Sequence, residues 1–203
     1  MYFEALRLGI EQGDPDRLIG FYAEHAHLSI VNTGAPQTSP FAPWERLQRG
    51  LGGRFSARAR GLTGGEFSLH APDGEEFGRL RMRPPFGAGF EAGASETEIV
   101  REGEMGSRYR MTTDGAVVLI AGPEGRDGGF NIFCGGKTYA ASYKLLRNTA
   151  TARPADTGDA EVRLEGGLAG RSYRASFPKD DGASLAVAVF LLYRNAALRR
   201  ETF

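Results

Sequence analysis

The chain is expected to be mainly β with α: an antiparallel barrel around a C-terminal apolar helix, preceded by an N-terminal helical segment. Three observations predict this. From residue 54 onward apolar and polar residues alternate at a period of two between glycine-rich turns; residues 183–193 are apolar on every side except at Ser184; and residues 1 to about 50 carry helical spacing instead. A helix needs a polar face only where it meets water, so a run apolar all round has to be enclosed. A sheet curved about it supplies the enclosure.

The opening reads as helices in order. Phe3, Leu6 and Ile10 recur at three- and four-residue spacing until Gly13. Asp14-Pro15-Asp16 then starts a second helix, with Asp14 as cap, Pro15 at the first helical position and Asp16 complementing the dipole. Leu18, Ile19, Phe21 and Tyr22 form its apolar face, residues 27–32 look extended, and residues 33–40 are a loop by composition. Trp44, Leu47 and Leu51 predict one more short helix before Gly52-Gly53.

Four hairpins follow. Asp73-Gly74 joins Phe67 and Leu69 to Phe77, Leu80 and Met82, and Asp114-Gly115 joins residues 109–111 to 116–120. Gly135-Gly136 joins residues 130–134 to 138–145, and a fourth hairpin pairs residues 160–164 with 171–177. Asp-Gly and Gly-Gly favour the tight turns whose twist matches that of antiparallel strands. Residues 178–182 end the last strand, and either Asp180 or Asp181 is placed to cap the terminal helix. Gly87-Ala88-Gly89 and residues 122–125 read as turns, since they lack the spacing and the following Lys-Ser/Thr of a phosphate-binding loop.

Composition narrows the function. The 203 residues divide into an N-terminal segment, 1–53, and a β-rich domain, 54–203, with 41% hydrophobic residues to build a core. Lys plus Arg and Asp plus Glu are balanced at 25 each, so no overall charge selects nucleic acid as a partner. The single cysteine, Cys134, rules out an intramolecular disulfide and fits a reducing compartment. Residues 1–7 lack the pattern of a secretory signal, and the terminal apolar run is well short of the roughly 20 residues that span a bilayer. A cytoplasmic protein, peripheral at a membrane at most, is the expectation.

The sharpest polar pattern is Arg79-Leu80-Arg81-Met82-Arg83, where strand alternation sends three guanidiniums to one face and two apolar side chains to the other. Guanidinium forks fit phosphate oxygens, so Arg79, Arg81 and Arg83 are the candidate ligand-binding residues for an anionic phospholipid or a small acidic ligand. The competing reading is that Glu75, Glu76 or a neighbouring strand neutralises them. Other candidates are weaker: His25 and His27 lack a third metal ligand nearby, and Cys134 continues the apolar face of Phe130 and Ile132. The terminal helix, if exposed, is an alternative membrane or partner surface, with Arg194, Arg199 and Arg200 at its polar end. No catalytic residue, metal or cofactor is assigned, and no residue pattern sets an oligomeric state.

Two family resemblances complete the reading. Residues 11–26, Glu11-Gln12-Gly13-Asp14-Pro15-Asp16 through Tyr22-Ala23-Glu24-His25-Ala26, resemble the start of the SnoaL-like branch of the nuclear transport factor superfamily. That likeness implies a helical hairpin beside a pocket, with Tyr22 and His25 on the lining helix. Residues 54–203 resemble the tubby C-terminal-like superfamily and its LURP-one and scramblase relatives, through Asp73-Gly74 before Phe77-Gly78-Arg79-Leu80, Gly135-Gly136-Lys137-Thr138-Tyr139, and the late run Ser184 to Arg194. This likeness implies a closed barrel around a central helix, and phosphoinositide binding. The expected function is a non-enzymatic binding or regulatory protein recognising anionic lipid or another phosphate-bearing ligand. The alternative is a SnoaL-like small-molecule-binding protein or cyclase/isomerase-like enzyme, and an assembly scaffold is a third reading.

Overall fold

The computed structural model describes residues 39–61, 65–83, 87–102, 107–124, 129–155, 161–167 and 169–202. Expectations for residues 1–38, including the first two helices, Tyr22, His25, His27 and the SnoaL-like likeness, lie outside the described residues.

A short helix, α1 (Ala42–Leu51), leads into twelve strands. They are β1 (Arg54–Arg60), β2 (Glu66–His70), β3 (Glu76–Arg83), β4 (Gly87–Ala92), β5 (Ser95–Glu102) and β6 (Arg108–Thr113), then β7 (Ala116–Glu124), β8 (Gly129–Cys134), β9 (Lys137–Lys144), β10 (Thr149–Pro154), β11 (Val162–Gly166) and β12 (Ser172–Ser176). The helix α2 (Gly182–Thr202) ends the described chain. Each strand pairs antiparallel with the next, and β1 closes on β12 with Phe55 opposite Ala175, giving a closed twelve-stranded barrel. Closure leaves no unpaired sheet edge.

The turns explain the register. Asp114 and Gly115 have φ of 50° and 82°, and Gly135 and Gly136 have φ of 59° and 75°, so both two-residue loops take the left-handed backbone that tight hairpins need. The turn at Asp73-Gly74 is wider: the Gly74 N–H donates to Ala71 O, and the Glu75 N–H donates to Asp73 Oδ1 at 3.0 Å. All four predicted hairpins are present, as β2–β3, β6–β7, β8–β9 and β11–β12.

Two expected turns are strands instead. Gly87-Ala88-Gly89 forms the start of β4, and a Cβ on Gly87 would clash with the Ile99 carbonyl oxygen of β5. That glycine is there because a neighbouring backbone comes too close for a side chain. Gly122 and Pro123 extend β7, where they pair with Asn131 and Phe130 of β8. Pairing with β6 stops at Ala121, so Pro123 needs no N–H on that side.

Inside the barrel lies α2. Leu185, Ala186, Val187, Val189, Phe190, Leu191 and Leu192 are all 0% exposed. Inward side chains from the wall, such as Leu69, Leu80, Met111, Ile132 and Leu164, complete the same core. The Phe190 ring stacks on Phe130 at 6.1 Å and meets Tyr109 edge-on at 5.6 Å. The alternative of an exposed terminal helix is therefore excluded for this stretch.

Polar bonds hold both ends of α2 in place. Asp181 is the cap: its Oδ1 accepts the Ala183 N–H at 3.1 Å, while its Oδ2 accepts Lys137 Nζ at 2.9 Å and the Tyr139 hydroxyl at 3.1 Å. At the other end Asn195 Nδ2 donates to Asn148 Oδ1 at 2.7 Å, and Asn148 Nδ2 donates to Gly167 O at 2.6 Å.

α1 belongs to the same compact unit, Pro40–Phe203. Trp44 is 1% exposed, stacks on Phe90 of β4 at 5.5 Å, and donates from Nε1 to Thr113 Oγ1 at 2.9 Å. Gln48 Nε2 donates to Pro178 O at 2.8 Å, tying α1 to the segment that feeds α2. Gly52 then ends α1 with φ of 56°, the left-handed stop that glycine provides without strain.

Burying each large apolar side chain of α2 contributes about 1.5 to 3 kcal/mol, and a cavity in such a core costs more. Phe190→Ala is expected to lower the unfolding free energy by about 3 to 5 kcal/mol in urea titration. Leu192→Asp places an unpaired carboxylate in the lumen and is expected to prevent folding; native-like circular dichroism and melting for this variant would contradict an enclosed helix.

Candidate functional site on the outer wall

With the lumen filled, the polar surface for recognition is the outside of the wall. β3 alternates as expected: Leu80 is buried, Met82 is half-buried, and Arg79, Arg81 and Arg83 share the opposite face. The three arginines are brought together, and so are their counter-charges. Arg79 Nε donates to Glu76 Oε1, Arg81 bonds Glu66 and Glu91 at 3.2 Å each, and Arg83 lies 3.8 Å from Glu98 and 3.9 Å from Glu96. Arg60 of β1 joins the ladder through Glu76 at 2.8 Å and Glu66 at 3.7 Å.

Strand pairing produces this arrangement. Glu66 on β2 lies opposite Arg81, and Glu91 on β4 lies opposite Arg79, so charges of opposite sign face one another across β2–β3 and β3–β4. The Arg79 hydrogen bond holds the Glu76 carboxyl below its ordinary range, with the charge of Arg60 adding to it, and Glu76 in turn raises Arg79.

The wall changes character at the seam where β1 meets β12. Arg54 lies opposite Ser176, Ser176 lies opposite Arg163 of β11, and one row along Arg174 lies between Ser56 and Glu165. Arg54, Arg163, Arg174, Ser56 and Ser176 line an open groove of about 660 Å³, flanked by Ala71 and Pro72. Glu165 pairs with Arg163 at 2.6 Å. Arg54 and Arg174 have no ion-pair partner among the described residues.

These groove residues were not among the sequence candidates. Arg163 and Arg174 show the same alternation with apolar neighbours as the β3 row, which marks them as outward-facing. Their meeting with Arg54 depends on barrel closure, which no local pattern encodes.

The remaining candidates take structural places. Cys134 is 0% exposed and its thiol donates to Ala183 O at 3.6 Å; burial, aided by the Asp181 charge, pushes it well above an ordinary thiol. Arg194 leaves the expected polar exit and lies over the Tyr109 and Phe130 rings at 5.3 and 5.9 Å. Arg199 does sit at the helix end, donating to Leu145 O at 3.2 Å. Among the described residues no group of three His, Cys, Asp or Glu is placed to hold a metal ion. No helix among them is long and apolar enough to cross a membrane.

No protein-family model, curated protein or solved structure matches the chain.

Cys134 is expected to resist iodoacetamide in the native protein and to label at one thiol per chain after guanidinium unfolding; rapid native labelling would place it outside the core. The Glu76 ion pair is present above the ordinary carboxylate range and is lost as pH falls through the lowered pKa of Glu76. Carboxyl NMR titration is expected to give a depressed Glu76 midpoint that rises in Arg79→Gln.

Proposed function

We propose that the chain is a tubby-like barrel protein that works by binding rather than catalysis, recognising a phosphate-bearing anion such as a phospholipid headgroup on its outer wall. Its setting in this reading is the cytoplasm, at or near a membrane surface. One observation carries the proposal: the barrel fills its own lumen while its outer face carries arginines in excess of their carboxylate partners at the β1–β12 seam.

The physical argument runs through charge pairing. An arginine already paired with two glutamates, as Arg81 is, offers an external anion no net positive charge, although each such exposed pair is itself worth only about 0 to 1 kcal/mol. An arginine without a carboxylate partner gives up only water. Around Arg60, Arg79, Arg81 and Arg83 stand the carboxylates of Glu66, Glu76, Glu91, Glu96 and Glu98, so that row carries no excess positive charge, and anion capture is concentrated where the pairing is incomplete. The SnoaL-like alternative rests on residues outside the described ones, and no observation in the barrel favours it.

Vesicle sedimentation tests the proposal. The protein is expected to sediment with phosphatidylserine-containing vesicles and to remain in the supernatant with phosphatidylcholine alone, with binding that falls as salt rises. Equal partitioning with both vesicles, together with no binding of inorganic phosphate, would overturn it.

A further inference from the structure

The groove at the barrel's closing seam, rather than the basic row on β3, is where we infer that a phosphate monoester is held, with Arg54 and Arg174 as its principal ligands. The inference rests on the reading of the chain as an anion-binding protein and specifies both the site and the ligand chemistry.

The geometry comes from register. Adjacent strands run about 4.8 Å apart, so Arg54 and Arg163, on either side of Ser176, have their Cα atoms about 10 Å apart. Arg174 is two residues from Ser176 on β12, about 7 Å along the strand, on the same face. Three guanidiniums therefore surround a floor bearing the hydroxyls of Ser56 and Ser176. Arg54 and Arg174 are exposed and have no ion-pair partner among the described residues, so their heads are free to turn toward a shared anion.

Charge selects the ligand. Glu165 is the one carboxylate lining the groove, and it is engaged by Arg163 at 2.6 Å. Arg54 and Arg174 are left with no carboxylate of their own among the described residues. Two unpaired guanidinium forks and two hydroxyl donors match a group with about two negative charges and three acceptor oxygens, which is a phosphate monoester near neutral pH. A carboxylate, with one charge and two oxygens, would leave one fork unused.

Size and lining add a further restriction. A volume of about 660 Å³ is much larger than a bare phosphate needs. Ala71 and Pro72 at the rim offer apolar contact to the body that carries the phosphate, so the ligand is a phosphomonoester of a compact organic molecule. Its source is either a soluble metabolite or the headgroup of a lipid such as phosphatidic acid.

Binding of glycerol 3-phosphate by calorimetry, and of phosphatidic acid vesicles by sedimentation, distinguishes these sources. Both are measured on the wild type, on Arg54→Gln/Arg174→Gln, and on Arg79→Gln/Arg81→Gln. The seam variant is expected to lose about tenfold or more in affinity for whichever probe binds, with the β3 variant close to wild type. Binding of glycerol 3-phosphate identifies a soluble source, and binding of the vesicles alone identifies a lipid one; either supports the groove. Loss in the β3 variant with retention in the seam variant would overturn this site while leaving anion binding intact. Failure of the wild type with both probes would overturn the site and the ligand class together; binding to phosphatidylserine vesicles would still keep the broader reading. Unchanged melting of both variants is expected, since all four side chains lie on the outer face.

Discussion

Filling the lumen is the constraint on which the rest of this fold depends. A barrel of about eight strands can pack its interior with its own side chains, whereas twelve strands enclose a wider space. α2 occupies that space together with Trp44 of α1, and its apolar residues are accommodated because the wall and α1 cover them between them. Neither component satisfies its apolar surface without the other.

An apolar cylinder in an apolar sleeve has little to fix its depth or rotation, and the polar contacts at its two ends supply that specificity. Asp181 anchors the start of α2 to Lys137 and Tyr139 on β9, and Asn195 anchors the far end to Asn148. α1 adds a third fixed point, with Gln48 bonded to the chain just before α2. Strand pairing in the closed sheet sets the spacing of the outward side chains along the wall. Charge patterns on it keep fixed spacing, which is what lets the seam and the β3 row be compared as binding surfaces.

Much of this architecture was legible in the residues. The four hairpins were marked by turn chemistry, and the enclosed helix by the lack of any polar face between Leu185 and Leu192. The helix is longer than its apolar run, because Asn195, Arg199 and their neighbours continue it with polar residues that bond the barrel end. β4 was hidden because Gly87 and Gly89 look like turn residues, while Gly87 answers a close approach by the β5 backbone and Gly89 lies against the Arg83 side chain of β3, both of which depend on tertiary packing. β1, β5 and β10 carry no short turn signal linking them to a partner already identified. The β3 arginine row was readable as a face. Its neutralisation was readable only for Glu76, since Glu66, Glu91, Glu96 and Glu98 arrive through pairing with other strands.

The element that fills the barrel also follows all twelve strands in the chain, and the strands that close it, β1 and β12, are separated by nearly the whole of the sheet. During synthesis the wall therefore leaves the ribosome before its filling does. Until Ala183–Tyr193 emerges, the nascent sheet has an inner surface of leucine, isoleucine and phenylalanine with nothing to cover it, and long-range closure of this kind is slow. The order of the elements thus leaves the core incomplete until the last strand and the helix have both emerged.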